Sequence, residues 1–504
     1  MGGTHQRERE GRGRRSRLGG LRGAAVLVVV LALVGAGLVA WRTGWAEERW
    51  DALRGRTSSD GDPAAVAAPP AVAPRVVASP SPVAAEADAS APLDPAALGQ
   101  ALRPLAAPVL GPRVLAAVGS LDGPVDGSDL AFTRGRGTAI PASTTKVVTT
   151  AAALSLLGPQ HTFATTTVLQ PAPGSSAGAV PRLVLVGGGD PYLTRAPVPT
   201  GAPTATFAPP RADLRTLARE TARTLQAQGT RSVALGYDDT LFTGPAISPR
   251  WEPGYVPDVV APISALWIDE GRDAVGDRTL APADAAAGVF RAELAAAGVR
   301  VVNTPRRLPA APGATPVASV SSASLAQIVQ RVLEVSDNAA AEVLLRHVGL
   351  AARGEGSFVA GRQGVVRALA GAGIRLGASV LHDGSGLSRA NRLAPAVLVS
   401  VLRWAASPKH PELRPVIAGL PVAGFTGSLS DRMGEGAPDG RGRVRAKTGT
   451  LSGVSSLAGI AVDADGTVLA FALMADRIPE QRKFLAQTTL DTAAARLGVC
   501  PCTR

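Results

Sequence analysis

Three short strings in this 504-residue chain hold residue types that can carry out acyl transfer: Ser143-Thr-Thr-Lys146, Ser336-Asp-Asn338 and Lys447-Thr-Gly449. Alone, each is common: Ser-x-x-Lys is ordinarily an exposed pair on a helix, and Lys-Thr-Gly a turn. The composition sharpens them. Lys146, Lys409, Lys447 and Lys483 are the only lysines, and Asn303, Asn338 and Asn391 the only asparagines. Only Lys146 has a serine three residues earlier, only Asn338 a serine two before it, and only Lys447 opens Lys-Thr-Gly. Together, in this order, the strings fit a serine acyl-transferase site.

The spacing gives each residue a physical task. A helix starting near Pro141 and running to about Leu157, closed by Gly158 and Pro159, puts Ser143 just inside its start. Lys146 follows one turn later on the same face. The positive end of the helix dipole favours negative charge developing on the serine oxygen. Lys447, as a second cation, is expected to lower the pKa of Lys146 so that it acts as a neutral base. Ser336 can relay a proton between Lys146 and a leaving amine, while the Asn338 amide binds a substrate carbonyl. After Gly449 the strand can approach a substrate closely, and the Thr450 N–H can join that of Ser143 as an oxyanion hole. The Thr448 and Thr450 hydroxyls suit a terminal carboxylate. Asp337 is expected to point away and support a helix.

Other strings read as structure. Gly187-Gly-Gly-Asp190 lacks the Gly-Lys-Ser/Thr that phosphate binding needs and is a turn. Gly384-Ser385-Gly386 is no nucleophile elbow, because Asp383 and Leu387 stand where the glycines would be. His161, His347, His382 and His410 have no convincing nucleophile partner and read as core or surface residues. No cofactor or metal is implied. Cys500 and Cys502, the only cysteines, exclude a disulfide scaffold and leave open whether they bridge a small loop or stay thiols.

The elements that must position these groups are legible in outline. Arg113–Val118 and Leu130–Phe132 read as paired strands; Ser321–Val348 is largely helical. Val444–Thr450, Val454–Val462 and Thr467–Met474 read as antiparallel strands with Asp465-Gly466 at one turn, followed by a helix over Pro479–Leu497. The fold class is α/β, an antiparallel sheet between helices formed by residues 93–161 and 309–504, interrupted by an accessory insert at 162–308. Within the insert, a helix over Pro282–Ala297 has proline at its first position and Gly298 past its end.

Ahead of this lie a basic tail at 1–22, an apolar run at 23–41 and a Pro/Ala-rich linker at 42–92. The net charge of +12 is concentrated in Arg7, Arg9, Arg12, Arg14, Arg15, Arg17 and Arg22. The remaining charges are scattered and aromatics are few, which excludes a nucleic-acid reading. Arginines before an apolar run predict a single-pass anchor in the cytoplasmic membrane with everything after Trp41 outside. The rival is a cleaved signal peptide, with Gly44-Trp45-Ala46 at the cleavage site and a secreted product.

The chain resembles the low-molecular-mass penicillin-binding proteins of the D-alanyl-D-alanine carboxypeptidase/endopeptidase type, peptidase family S13. The resemblance spans roughly Leu93 to Leu497 and rests on Pro141-Ala-Ser-Thr-Thr-Lys146, Gly187-Gly-Gly-Asp-Pro191, Ser336-Asp-Asn338, Asp383-Gly-Ser-Gly-Leu-Ser-Arg389 and Lys447-Thr-Gly-Thr-Leu-Ser452. It implies a penicillin-recognising serine transpeptidase-like domain with domains inserted between the first two motifs. It also implies peptidoglycan stem peptides as substrates and β-lactams as covalent inhibitors. By the same resemblance Leu387, Arg389, Leu451 and Ser452 border a pocket for the stem's diamino-acid side chain, with Asp239 expected to reach in from the insert. Two alternatives share the motifs: a serine β-lactamase, and a catalytically inactive membrane-anchored scaffold that binds the wall.

Overall fold

The computed structural model describes residues 92–171, 179–198, 208–434 and 436–504. The basic tail, the apolar run and the linker up to residue 91 lie outside the described residues. Among the described residues no helix is long and apolar enough to cross a membrane.

Among the described residues, eleven strands form two sheets. In chain order they are β1 (Val114–Ser120), β2 (Phe132–Arg134), β3 (Ala164–Gln170), β4 (Arg182–Val186), β5 (Ser232–Asp238), β6 (Arg300–Val301), β7 (Arg306–Arg307), β8 (Thr315–Ser321), β9 (Val444–Leu451), β10 (Val454–Val462) and β11 (Val468–Ala475). The first sheet has the order β2-β1-β11-β10-β9 and is antiparallel throughout. Its strands alternate between two apolar layers, as a period of two requires. Leu115, Ala117, Ala470, Ala472 and Met474 face one core with the helices Thr145–Leu157 and Pro395–Ala406. Ala116, Val118, Leu469, Phe471 and Leu473 face the other, with the helix Lys483–Leu497. The helix Thr145–Leu157 is buried on every side over Thr145–Leu154, so it sits inside the domain rather than on it.

The second sheet has the order β6-β5-β4-β3-β8, with β7 also pairing β5. β3 is antiparallel to β4 and β8, while β4, β5 and β6 are parallel and carry the helices Leu214–Ala227 and Pro282–Ala296 against one face. The chain enters this sheet on β3 and leaves on the adjacent β8, where Ala164 opposes Ser321. The insert therefore continues past the expected boundary at 308, because its closing strand must return beside its opening one.

The helical stretch expected over 321–348 is two helices. Leu325–Val335 opens with a capping box between Ser324 and Gln327 and ends at Ser336, whose φ of 61° is left-handed. Asn338–Arg353 then starts at Asp337, which accepts the Ala340 N–H as the N-cap. At the chain end Cys500 and Cys502 are bridged, and the Cys502 carbonyl accepts from Asp94 N–H at 2.7 Å. The tail thus closes onto the start of the folded region.

Arg346 joins the insert to the helix Asn338–Arg353. It is almost wholly buried, donates to the carbonyls of Thr243, Pro245 and Gly356, and lies 4.1 Å from the centre of the Phe358 ring. Arg346→Ala takes the side-chain donor from the Thr243 and Pro245 carbonyls, while Gly356 keeps the Thr243 N–H at 3.0 Å, and it opens a cavity. It is expected to lower unfolding free energy by about 3 kcal/mol. Denaturant titration checks this, and a loss below about 0.5 kcal/mol contradicts the anchoring role.

Candidate active site

Two turns of strained backbone carry Ser143 and Ser336. Ser143 lies in a 3₁₀ turn, Ala142–Thr144, that leads directly into the helix Thr145–Leu157. Ala142 has φ 47°, a left-handed value that a residue with a side chain adopts only when surroundings impose it. Ser336, at the junction between its two helices, is left-handed too; Asp269, Glu270 and Met433 are the other non-glycine residues with positive φ among the described residues. Ala142 and Ser336 fall beside or inside the motifs.

Lys146 brings the motifs together. It is fully buried, and its ammonium donates to Ser143 Oγ at 2.9 Å, to Asn338 Oδ1 at 2.7 Å and to the Ser385 carbonyl at 2.8 Å. Three N–H bonds meet three acceptors, so the cation is satisfied. Burial lowers its pKa to about 8, against the opposing pull of Glu342, Asp337 and Asp383. The expectation that Lys447 sets this shift is corrected: desolvation does. Lys447 is also fully buried, donates to the Thr448 carbonyl at 2.9 Å, and is pushed well below its ordinary range by burial, then by Lys146 and Arg432. Repulsion between two cations is mutual and falls on the one with less compensation. Lys146 has three carboxylates near it; Lys447 gives way.

β9 carries Lys447, Thr448, Gly449, Thr450 and Leu451 alongside the Ser143 turn, with Ser452 just past its end. Gly449 opposes Ser456 across the ladder, and Ser456 Oγ donates to the Pro141 carbonyl at 2.6 Å. A Cβ on Gly449 would collide with Ser456 Oγ and the Pro141 carbonyl and crowd Ser143 N, so only glycine permits this approach. β9 is an edge strand, which leaves alternate backbone groups open to a ligand strand. Thr448 Oγ1 lies 2.9 Å from Ser428 Oγ, and Gln487 Nε2 donates to Thr450 Oγ1 at 3.0 Å. Ser428 and Gln487 belong to no motif and were invisible in the sequence.

The loop 383–389 forms the floor. Asp383 accepts from Trp251 Nε1 at 2.8 Å, Gly386 N–H at 3.0 Å, Ser388 N–H at 2.6 Å and Asn391 Nδ2 at 2.6 Å. Gly386 has φ 87° and touches the Ala142 carbonyl so closely that no Cβ fits. Arg389 Nη1 donates to the Ser452 carbonyl at 2.8 Å, which brings these two expected pocket residues together. Leu387 is buried in the main core. Leu451 packs with Ile140, Ala142 and Val454 beneath the nucleophile turn.

Asp239 does not join Arg389. It pairs with Arg307 of β7 on the insert's own sheet, and its neighbour Asp238 caps the turn by accepting from Thr240 and Ala310. The insert reaches the floor instead through 251–255: Trp251 bonds Asp383, and the Tyr255 phenol feels the charges of Arg389 and Glu252. The signal was an aromatic pair in a Pro/Gly loop, Trp251-Glu-Pro-Gly-Tyr255. A polar cavity of about 210 Å³ opens beside the second motif, lined by Ser336, Asn338, Glu270 and Arg278 among others. His347 is a core residue, with Nε2 2.9 Å from the Gly189 carbonyl and its ring stacked on Phe163; burial lowers it to about 4.

With this geometry in place, the likeness to known proteins is specific. The D-Ala-D-Ala carboxypeptidase 3 (S13) family matches residues 116–276 and 273–497. The carboxypeptidase DacB of Mycolicibacterium smegmatis is 34% identical over 487 residues, 95% of this chain and 96% of that protein. The D-alanyl-D-alanine carboxypeptidase of Actinomadura sp. strain R39 is 32% identical over 418 residues, 66% of this chain and 73% of that protein. Among solved structures, penicillin binding protein 4 of Haemophilus influenzae superposes with a TM-score of 0.62 at 23% identity, covering 79% of this chain and 98% of that one; it has also been solved complexed with a β-lactam. The chain belongs to the D-Ala-D-Ala carboxypeptidase 3 (S13) family. Its fold is that of the penicillin-recognising serine enzymes.

Gly449→Ala tests the close approach. The added methyl pushes β9 off Ser143, and acylation by penicillin is expected to fall roughly 100-fold or more. A Gly449→Ala protein that acylates at the wild-type rate in stopped-flow assay would show that the contact does not set the geometry.

Proposed function

We propose that Ser143 attacks the carbonyl of the terminal D-Ala-D-Ala bond of peptidoglycan stem peptides, with Lys146 as the base that takes its proton. Membership of the family makes the chain a serine-type DD-carboxypeptidase; the division of labour rests on the site's own geometry. The observation that carries it is the 2.9 Å bond between Lys146 Nζ and Ser143 Oγ inside a fully buried environment.

As the Ser143 oxygen bonds the carbonyl carbon, its proton moves to Lys146, and the new ammonium finds Asn338 Oδ1 and the Ser385 carbonyl already aimed at it. The N–H groups of Ser143 and Thr450 stabilise the oxyanion. Asn338 has its Oδ1 committed to Lys146, which leaves Nδ2 as the donor for a substrate carbonyl. Ser336 relays the proton to the leaving amine. Lys447, Thr448 and Thr450, with Ser428 beside Thr448, receive the leaving D-alanine carboxylate. β-Lactams acylate the same serine. The β-lactamase alternative asks for a carboxylate that can activate water beside Lys146, and the three whose charges reach that amine are committed elsewhere: Glu342 is held by Gly384 and Ser385, Asp337 caps its helix, and Asp383 is held by four donors. Arg389, held by Ser452, together with Leu387 and Leu451, borders the side-chain pocket, with Tyr255 and Glu252 facing it from the insert. The apolar run at 23–41 anchors the chain in the cytoplasmic membrane with the catalytic domain outside; N-terminal sequencing of the native protein that began near Glu47 would oppose this.

Labelled penicillin is expected to form a stable adduct that mass spectrometry maps to Ser143. Lys146→Ala should abolish it, while Lys409→Ala leaves it intact; an adduct on another serine, or equal losses in both variants, overturns the assignment. The pH dependence follows from the lowered amine. With a pKa of about 8, roughly one Lys146 in ten is neutral at pH 7. Acylation kcat/KM should therefore rise with pH through about 8 and level off above it. A flat profile from pH 6 to 9 contradicts the base assignment.

A further inference from the structure

Glu342 stands one helical turn after Asn338 and is fully buried. An acid in a helix ordinarily faces water; this one does not. Its Oε2 accepts from Gly384 N–H at 3.0 Å and its Oε1 from Ser385 N–H at 2.8 Å. The carbonyl of that same Ser385 accepts from Lys146 at 2.8 Å. Asn338, on the same helix as Glu342, supplies a second acceptor at 2.7 Å. Two of the three acceptors around the ammonium therefore come from the two elements that Glu342 fastens together.

We propose that Glu342 is a positioning residue for acylation: by holding the amides of Gly384 and Ser385 it fixes the Ser385 carbonyl against Lys146, and its charge supports the ammonium formed when Ser143 loses its proton. This rests on the reading of Lys146 as the base. Both Glu342 oxygens accept from N–H groups, bonds that favour its charged form.

The charges around Glu342 come from every neighbouring element. Lys146 faces it from the nucleophile helix and Asp383 from the floor loop. Asp337 and Arg346 lie on its own helix or cap, and Lys447 lies beyond Lys146 on β9. Burial and Asp383 push Glu342 up to about 8, while its bonds from Ser385 and Gly384 pull the other way, so it gains its charge over the same pH range in which Lys146 loses its proton. Its negative charge in turn raises Lys146 against the burial that lowers it.

The test is the pH profile of penicillin acylation in wild type, Glu342→Gln and Glu342→Asp, with the adduct mapped in each. In Glu342→Gln the ammonium loses its support, so the acid limb should move to lower pH by about one unit. The plateau rate should fall roughly 10- to 100-fold as the Ser385 carbonyl drifts. Glu342→Asp keeps the charge but is one methylene short; its limb should stay at the wild-type midpoint while its plateau falls. If both variants melt at lower temperature but keep the wild-type limb and plateau, Glu342 is a folding residue only and the proposal is overturned. If Glu342→Gln does not fold, Glu342→Asp decides: a lowered plateau at an unmoved midpoint supports the proposal, and an unchanged plateau overturns it. Failure of the base reading is separate, since it would leave Lys146→Ala open to acylation and wild type without a limb near neutral pH.

Discussion

A buried lysine ammonium is tolerable only when every N–H finds an acceptor, and the site is arranged around that requirement. Removing such an ion from water costs several kcal/mol even after relaxation. Lys146 meets the cost with Ser143 Oγ, Asn338 Oδ1 and the Ser385 carbonyl. One acceptor is on its own turn, one heads the helix after the second motif, and one lies on the floor loop, so three distant stretches of chain are pinned to one atom. Each acceptor then needs its own support. Asp337 caps the helix of Asn338, and Glu342 and Asp383 hold the loop of Ser385.

The strain at the site has the same origin. Ala142 must turn left-handed because the chain enters the helix while its carbonyl lies against Gly386 and accepts from Thr145 Oγ1. Ser336 must do so because one helix has to end and another begin within two residues, with Asn338 turned toward Lys146. β9 closes the remaining side at a distance only glycine allows. Sites of this kind place conformational cost where geometry matters most and recover it in the surrounding core.

The local part of this was legible in the sequence. Scarce lysine and asparagine made the three motifs stand out, and alternation placed β9, β10 and β11 within a residue or two of where they lie. Caps and breakers located the helix at Pro282 and the end of the helix at Leu157, whose start lies at Thr145 rather than near Pro141 because a 3₁₀ turn over Ala142–Thr144 precedes it. What escaped depends on pairing across the chain. β8 belongs to the insert because it lies beside β3, which no local pattern records. Asp239 reads as a free acid until Arg307 is seen to arrive from a neighbouring strand. Glu342 belongs to none of the motifs, and its burial comes from a loop more than one element away. The shift of Lys146 was anticipated in direction but credited to Lys447, because a sequence shows charges and not the water removed from them.

The insert shows why a long excursion between the first two motifs need not loosen the site. Its strands pair only among themselves, yet three of its loops end on elements around Lys146. The Gly189 carbonyl meets His347, the Thr243 and Pro245 carbonyls meet Arg346, and Trp251 meets Asp383. Two of these partners lie on the helix that carries Asn338 and Glu342, and the third is the floor-loop residue beside Gly384. The insert is thereby fastened to the same two elements that supply acceptors to Lys146. Any movement of its 243–255 segment must be transmitted to the floor loop through buried, hydrogen-bonded contacts rather than absorbed by a flexible hinge.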